Sequence, residues 1–196
     1  MLVIDWSEFL ENGLPLELKK ASVTVGVFDG VHCGHQALIE RIVSHNKEHV
    51  PVIITFRQDH KAGNIQTFRQ KLAMFENMGI KITLAIDFTE DFRRMPGIEF
   101  LKILLRHCNV GFFAVGSGFR CGYQLDTGTA EINRFFTAKN IPVEIVAEVM
   151  EDGLPISSSR IRRAITSGNI VHAQAMLGYP YTIDSNGLPG IVLPQL

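Results

Sequence analysis

Little in this chain marks it for export, for a membrane or for nucleic acid. Its three cysteines, Cys33, Cys108 and Cys121, show no paired spacing. No disulfide framework is readable from them, and an odd, sparse set fits a reducing cytoplasm. A signal-peptide pattern is missing, because Asp5, Glu8 and Glu11 break up the first apolar residues. The longest apolar runs fall far short of the roughly 20 residues a membrane helix needs. With 19 basic and 20 acidic residues the net charge is −1, so no basic field points to nucleic acid. Internal repeats and low-complexity stretches are also lacking. What remains is 196 residues, 46% hydrophobic, enough to bury one full core. The expectation is a soluble, cytoplasmic, globular protein.

What is present is an alternation of strand-like and helix-like segments. A short helix is predicted near Trp6–Glu11, then a strand over Ser22–Phe28 and a helix from Gly34 to His49. Pro51–Phe56 is a continuous apolar run, the pattern of a parallel strand covered on both faces. Further strands are predicted at Lys81–Ile86, Val110–Val115 and Val143–Val149. Helices are predicted around Phe68–Phe75, Ile98–Cys108, Ala130–Lys139, Ser158–Ser167 and Val171–Leu177. Such alternation implies right-handed crossovers. The expected fold is an open, Rossmann-like, parallel five-stranded α/β sheet with helices on both faces. It would span residues 1–181, leaving 182–196 as a tail or one extra strand.

The most informative stretch is Val25-Gly26-Val27-Phe28-Asp29-Gly30-Val31-His32-Cys33-Gly34-His35. Strand formers lead into a glycine turn, and from His35 onward Leu38, Ile39, Ile42 and Val43 fall on one helical face. A turn between a strand and a helix lies at the carboxyl end of the strand, where open α/β sheets bind ligands. Backbone N–H groups and the positive end of a helix dipole meet there, which suits an anion. Gly26, Gly30 and Gly34 remove the Cβ atoms that would hold a phosphate off. His32 and His35, three residues apart, can donate hydrogen bonds to one anion and offset charge developing in a transition state. A zinc site built from His32, Cys33 and His35 is the competing reading, weakened by the lack of a second Cys/His cluster.

A second motif, Ile156-Ser157-Ser158-Ser159-Arg160-Ile161-Arg162-Arg163, sits near the end of the predicted domain. Serines favour helix N-caps, yet three arginines then occupy the opening turns, where the helix dipole disfavours cations. A bound polyphosphate would reverse that penalty, and arginine forks suit phosphate oxygens. Solvated surface arginines are the plain alternative, since exposure and salt weaken the effect.

With both motifs in hand, the chain resembles the bacterial FAD synthetases. These are the adenylyltransferase modules of bifunctional riboflavin kinase/FMN adenylyltransferases, within the nucleotidyltransferase superfamily. Gly26–Gln36 resembles their G-x-F-D-G-V-H-x-G-H-Q signature, and Ile156–Arg162 resembles I-S-S-T-x-I-R. Leu177-Gly178-Tyr179-Pro180-Tyr181 is similar to L-G-R-P-Y, and Thr55-Phe56 to the start of T-F-x-P-H-P. The resemblance runs from about residue 22 to 181.

It implies transfer of AMP from ATP to FMN, giving FAD and pyrophosphate, with Mg2+ carried mainly by substrate phosphates and water and no protein metal ligand. His32, His35 and Arg162 would be the catalytic groups. Gly26, Phe28, Asp29, Gly34, Ser157, Ser158 and Arg160 would bind ATP. Phe119, Arg120 and Tyr123 would meet the flavin. The partners implied are small molecules, with no nucleic acid and no membrane. Three departures fall on the acceptor side. Arg57-Gln58-Asp59-His60 replaces the proline-framed histidine, Gly118 stands where the signature has aspartate, and Tyr123–Thr129 lacks the usual arginine and acidic residue. Only Thr182–Leu196 follow the last motif, too short for a flavokinase barrel, so that activity is expected to be absent. Two alternatives stay open: adenylylation of another phosphorylated acceptor, or a paralogue that binds nucleotide or flavin without turnover.

Overall fold

The structure, a computed structural model, describes residues 1–15, 19–57, 63–183 and 189–191. Its centre is a parallel sheet of β1 (Leu2–Asp5), β2 (Lys20–Val25), β3 (His49–Arg57), β4 (Ile82–Asp87), β5 (Val110–Gly116) and β6 (Val143–Val146). These lie in the order β1-β4-β3-β2-β5-β6, and every neighbouring pair is parallel. The sheet thus has six strands rather than the five expected. The added one, β1, rests on only three apolar residues, Leu2, Val3 and Ile4, and is an edge strand whose pairing with β4 is decided in three dimensions.

The connecting helices are α1 (Trp6–Asn12), α2 (Cys33–Val43), α3 (Phe68–Asn77), α4 (Glu90–Arg93), α5 (Gly97–His107), α6 (Thr129–Thr137), α7 (Ser158–Thr166) and α8 (Ile170–Leu177). The second is shorter than its apolar pattern suggests. It stops at Val43 because His49 and Val50 are drawn into β3, paired with Lys20 and Ala21. Past Tyr181, two short strands, Tyr181–Ile183 and Pro189–Ile191, pair antiparallel where a tail or single strand was expected.

Alternate residues of each strand feed two cores, as a period of two requires. Val52, Ile54 and Phe113 join Phe100, Leu104 and Phe136 on one face. Ile53, Phe112 and Ala114 join Ile39, Phe75 and Ile161 on the other. The chain runs outward from β2 through β3 to β4, then returns to place β5 and β6 on the opposite side of β2. Strand order therefore reverses beside β2, a switch point at whose carboxyl edge such sheets hold ligands. The glycine-histidine turn leaves the sheet there. Among the described residues no helix is long and apolar enough to cross a membrane.

Candidate active site

The turn between β2 and α2 is held in a conformation its sequence resists. Phe28 and Val31, neither a glycine, take φ of 54° and 34°, at a cost of order 1–3 kcal/mol each. Gly30, at φ 84°, could not be replaced without strain, and a Cβ there would also stand 2.9 Å from the Ile65 side chain. What holds the turn is a set of six side chains, most of them from distant segments, that donate to its carbonyls. Lys71 Nζ and Thr55 Oγ1 donate to Val27 O at 3.0 and 3.1 Å. Gln66 donates to Phe28 O at 3.3 Å, Ser158 to Asp29 O at 2.8 Å, Tyr179 to Gly30 O at 2.5 Å and Gln36 to Val31 O at 2.8 Å. Five successive carbonyls are thereby tied back. The amide N–H groups of Val27, Phe28, Asp29 and Gly30 have no hydrogen-bond partner among the described residues. That is the polarity an anion requires.

Both histidines stand beside this turn. His32 is the N-cap of α2, its Nδ1 accepting the His35 N–H at 3.4 Å, which places its own ring proton on Nε2. The two rings stack, with centroids 3.6 Å apart and planes 18° from parallel. Gly34 permits this packing, since a Cβ there would lie 3.3 Å from the His32 ring. Burial pushes His32 down to about 4. His35 is lowered well below the usual range by burial, then by His32 and by the Lys71 ammonium. Both rings are therefore neutral at pH 7, and the buried Nδ1 of His35 has no partner among the described residues. The zinc reading finds no geometry here, for the Cys33 thiol turns to the Ala175 carbonyl at 3.8 Å.

The serine-arginine motif opens α7 and packs against the same turn. Ser157 caps the helix by accepting from Arg160 N at 3.3 Å. Arg162 donates to Asp29 Oδ2 at 2.5 Å, while Asp29 Oδ1 accepts from Ile65 N at 2.9 Å. Asp29, only 8% exposed, thus joins the two motifs across 133 residues of sequence. Arg160 is a correction to the expected phosphate contacts. Its guanidinium is taken up by the carbonyls of Leu154, Pro155 and Glu151 at 2.8, 2.8 and 3.2 Å. It holds down the hairpin of Met150–Glu151 and Leu154–Pro155. On that hairpin and on α8, Glu151, Asp152 and His172 offer ligand atoms within 4.8 Å of one another.

Beyond His35 the cleft widens into a cavity of about 490 Å³. Gly26, Phe28 and His35 form one end, and Phe56, Phe88, Phe92, Phe100 and Phe119 supply much of the wall. Phe92 meets Phe100 edge to face at 6.0 Å, and Phe56 meets Phe88 in the same way at 5.4 Å. Arg120 lines the cavity, with its Nε donating to Leu125 O at 2.9 Å. Tyr123 does not line it. The Tyr123 side chain is 48% exposed and its amide donates to Met95 O at 2.9 Å, because Gln124 and Leu125 turn the chain through left-handed backbone there. The replaced histidine motif, Gln58 to His60, lies outside the described residues.

Several site residues went unread in the sequence. Lys71 is 5% exposed and donates to Val27 O, Thr55 Oγ1 and Phe56 O at 3.0, 3.1 and 3.0 Å. A signal existed, since Lys71 is in helical phase with Met74 and Phe75, the buried face of α3. Phe88 and Phe92 carried only the weak hint of two aromatics four residues apart.

With this geometry described, comparisons place the chain among known proteins. The FAD synthetase family pattern matches residues 14–160. The bifunctional riboflavin kinase/FMN adenylyltransferase of Escherichia coli (strain K12) is 27% identical over 179 residues, covering 86% of this chain and 57% of that protein. An FAD synthetase of Listeria monocytogenes is 26% identical over 193 residues, covering 90% of this chain and 78% of its own length. The chain thus spans about 57% of the bifunctional relatives it matches. In fold it is similar to a Streptococcus pneumoniae protein described as a macrolide-efflux protein, with TM-score 0.79 at 24% identity, over 92% of this chain and 63% of that one. It is also similar to Thermotoga maritima TmcAL, solved with alpha-thio ATP, at TM-score 0.51 and 13% identity, over 80% and 52% of the two chains.

Proposed function

The chain belongs to the FAD synthetase family, and on that premise we propose that it transfers AMP from ATP to FMN, releasing pyrophosphate. A phosphate oxygen of FMN attacks the α-phosphorus of ATP in line. The new P–O bond forms as the bond to the β-phosphate oxygen breaks, with no covalent enzyme intermediate. The observation that carries this reading is the position of His35, which stacks on His32 at the anion-suited turn and also lines the aromatic cavity. A triphosphate on the turn and a flat phosphorylated acceptor in the cavity would meet at that ring.

In this reading the free amides of residues 27–30, the His32 Nε2–H and the His35 ring stabilise charge on the triphosphate. Ser157, Ser158 and Arg162 close the other side, and Phe119 and Arg120 face the flavin. Catalysis is chiefly positioning and electrostatics, as phosphoryl chemistry demands. Asp29 has both carboxylate oxygens engaged, so Mg2+ fits as MgATP, held by phosphates and water. The same reading puts the enzyme in the cytoplasm as a domain of residues 1–181. The test is product analysis. Incubation with ATP, FMN and Mg2+ is expected to yield FAD and pyrophosphate in equal amounts, and formation of neither would overturn it.

A further inference from the structure

The side chains of the acceptor cavity offer few hydrogen-bond acceptors. Its charged lining residues are two cations, Arg93 and Arg120, and apart from the His35 ring its lining side chains offer no strong acceptor. An N–H or O–H donor brought in among them loses its water and needs a replacement partner. One carboxylate stands in position to be that partner. Gly118, on the cavity wall just beyond β5, carries no side chain, and a Cβ added there would lie 3.7 Å from Glu148 Oε1 and within 4 Å of nothing else. Strand pairing puts it there. Gly116 of β5 is in register with Val146 of β6, and Ser117 N donates to Val146 O at 2.9 Å. The two loops therefore leave the sheet side by side. Glu148 is exposed and, among the described residues, makes no hydrogen bond or ion pair.

We infer that Glu148 is a specificity-determining residue for the acceptor: its carboxylate reaches across Gly118 and accepts a hydrogen bond from an N–H or O–H donor on the acceptor's edge. The missing side chain at residue 118 is what opens the path. This assignment rests on the cavity being the FMN site. A carboxylate accepting from a neutral donor makes a charge-assisted hydrogen bond, and its position at the rim leaves the triphosphate end untouched.

The experiment is FMN binding by flavin-fluorescence quenching together with steady-state kinetics on the full chain. E148A is expected to weaken FMN binding and raise its KM about tenfold, the scale of one such bond, with the KM for ATP and the melting temperature unchanged. Restoring a carboxylate from the other loop, in G118D/E148A, is expected to recover FMN affinity to within about threefold of the parent. FMN methylated at its imide nitrogen separates the donors. Equal binding of that analogue by the parent and E148A identifies the imide N–H, and a persisting difference identifies a side-chain hydroxyl. Unchanged or tighter FMN binding by E148A, in a parent that forms FAD, overturns the assignment alone. A parent that neither binds FMN nor forms FAD overturns the proposed function, and this assignment with it.

Discussion

The two ends of the cleft are built by opposite means. At the glycine-histidine turn, the end proposed for the triphosphate, backbone amides are left open and side chains hold the turn still. Residues 27–31 have their carbonyls fixed by side chains from β3, α2, α3, α7 and the segment after α8, with Gln66 adding one from the loop before α3. Strain at Phe28 and Val31 is tolerated because so many contacts over-determine the turn. At the cavity end the surface is mostly side chain, a wall rich in phenylalanine broken by Gly116, Gly118 and Gly122, with an exposed rim that includes Phe88 and Leu125, each 56% exposed. The first end leaves little room for substitution without loss of the turn. The second changes character with a single residue, as Gly118 and Glu148 illustrate. Of the departures from the family signature, Gly118 lies on that second end, where loop residues rather than a braced turn form the wall.

Breaking the triphosphate end is expected to give the largest effect. On the proposed reading His35→Ala removes a ring that meets the reacting phosphate, and kcat is expected to fall by about 10²–10³, the scale of one lost transition-state donor. FMN binding, read by fluorescence quenching, is expected to change little. A parent-like rate would remove His35 from the reaction. The next effect is on stability and depends on pH. His32, at about 4, stays neutral in the folded protein where an unfolded histidine near 6.5 takes up a proton. The unfolded state therefore binds more protons between these values, so stability falls as pH drops through that window and is unaffected by this group above it. The full window is worth on the order of 3 kcal/mol, and His35 adds in the same direction. Urea unfolding from pH 7 to 4.5 is the measurement, and His32→Gln is expected to flatten the slope. The smallest effect is expected at the cavity end: Phe119→Ala removes one half-buried wall and is expected to raise the KM for FMN roughly tenfold, on the scale of one aromatic contact. The KM for ATP should hold. Equal loss for both substrates would mean the two ends are not separate.

Reading the sequence located the strands and helices because each alternation is local, and it singled out both motifs that meet at Asp29 because glycine, histidine, serine and arginine at fixed spacing have few other uses. It misjudged where contact depends on neighbours. Arg160 and Arg162 are two residues apart on one helix, and both looked fit for phosphate. Only the position of the hairpin at Met150–Pro155 shows that Arg160 faces carbonyls while Arg162 faces Asp29. Tyr123 shared a loop with Phe119 and Arg120, yet Gly122 and Leu125 on either side of it line the cavity and Tyr123 does not, where Gln124 and Leu125 take left-handed backbone. Lys71 was hidden because a lysine in a helix is ordinarily solvated, and β1 because three apolar residues make no period.

By itself, then, the order of residues determined the alternating α/β character, the anion-suited turn and the family. These follow from short-range periodicity and from the limited set of residues that can approach a phosphate. Tertiary structure alone decided that Asp29 is a brace between motifs 133 residues apart, that β1 completes the sheet, and that Glu148 stands over Gly118. Such facts depend on strand register and crossover path, which bring together atoms that no local pattern relates.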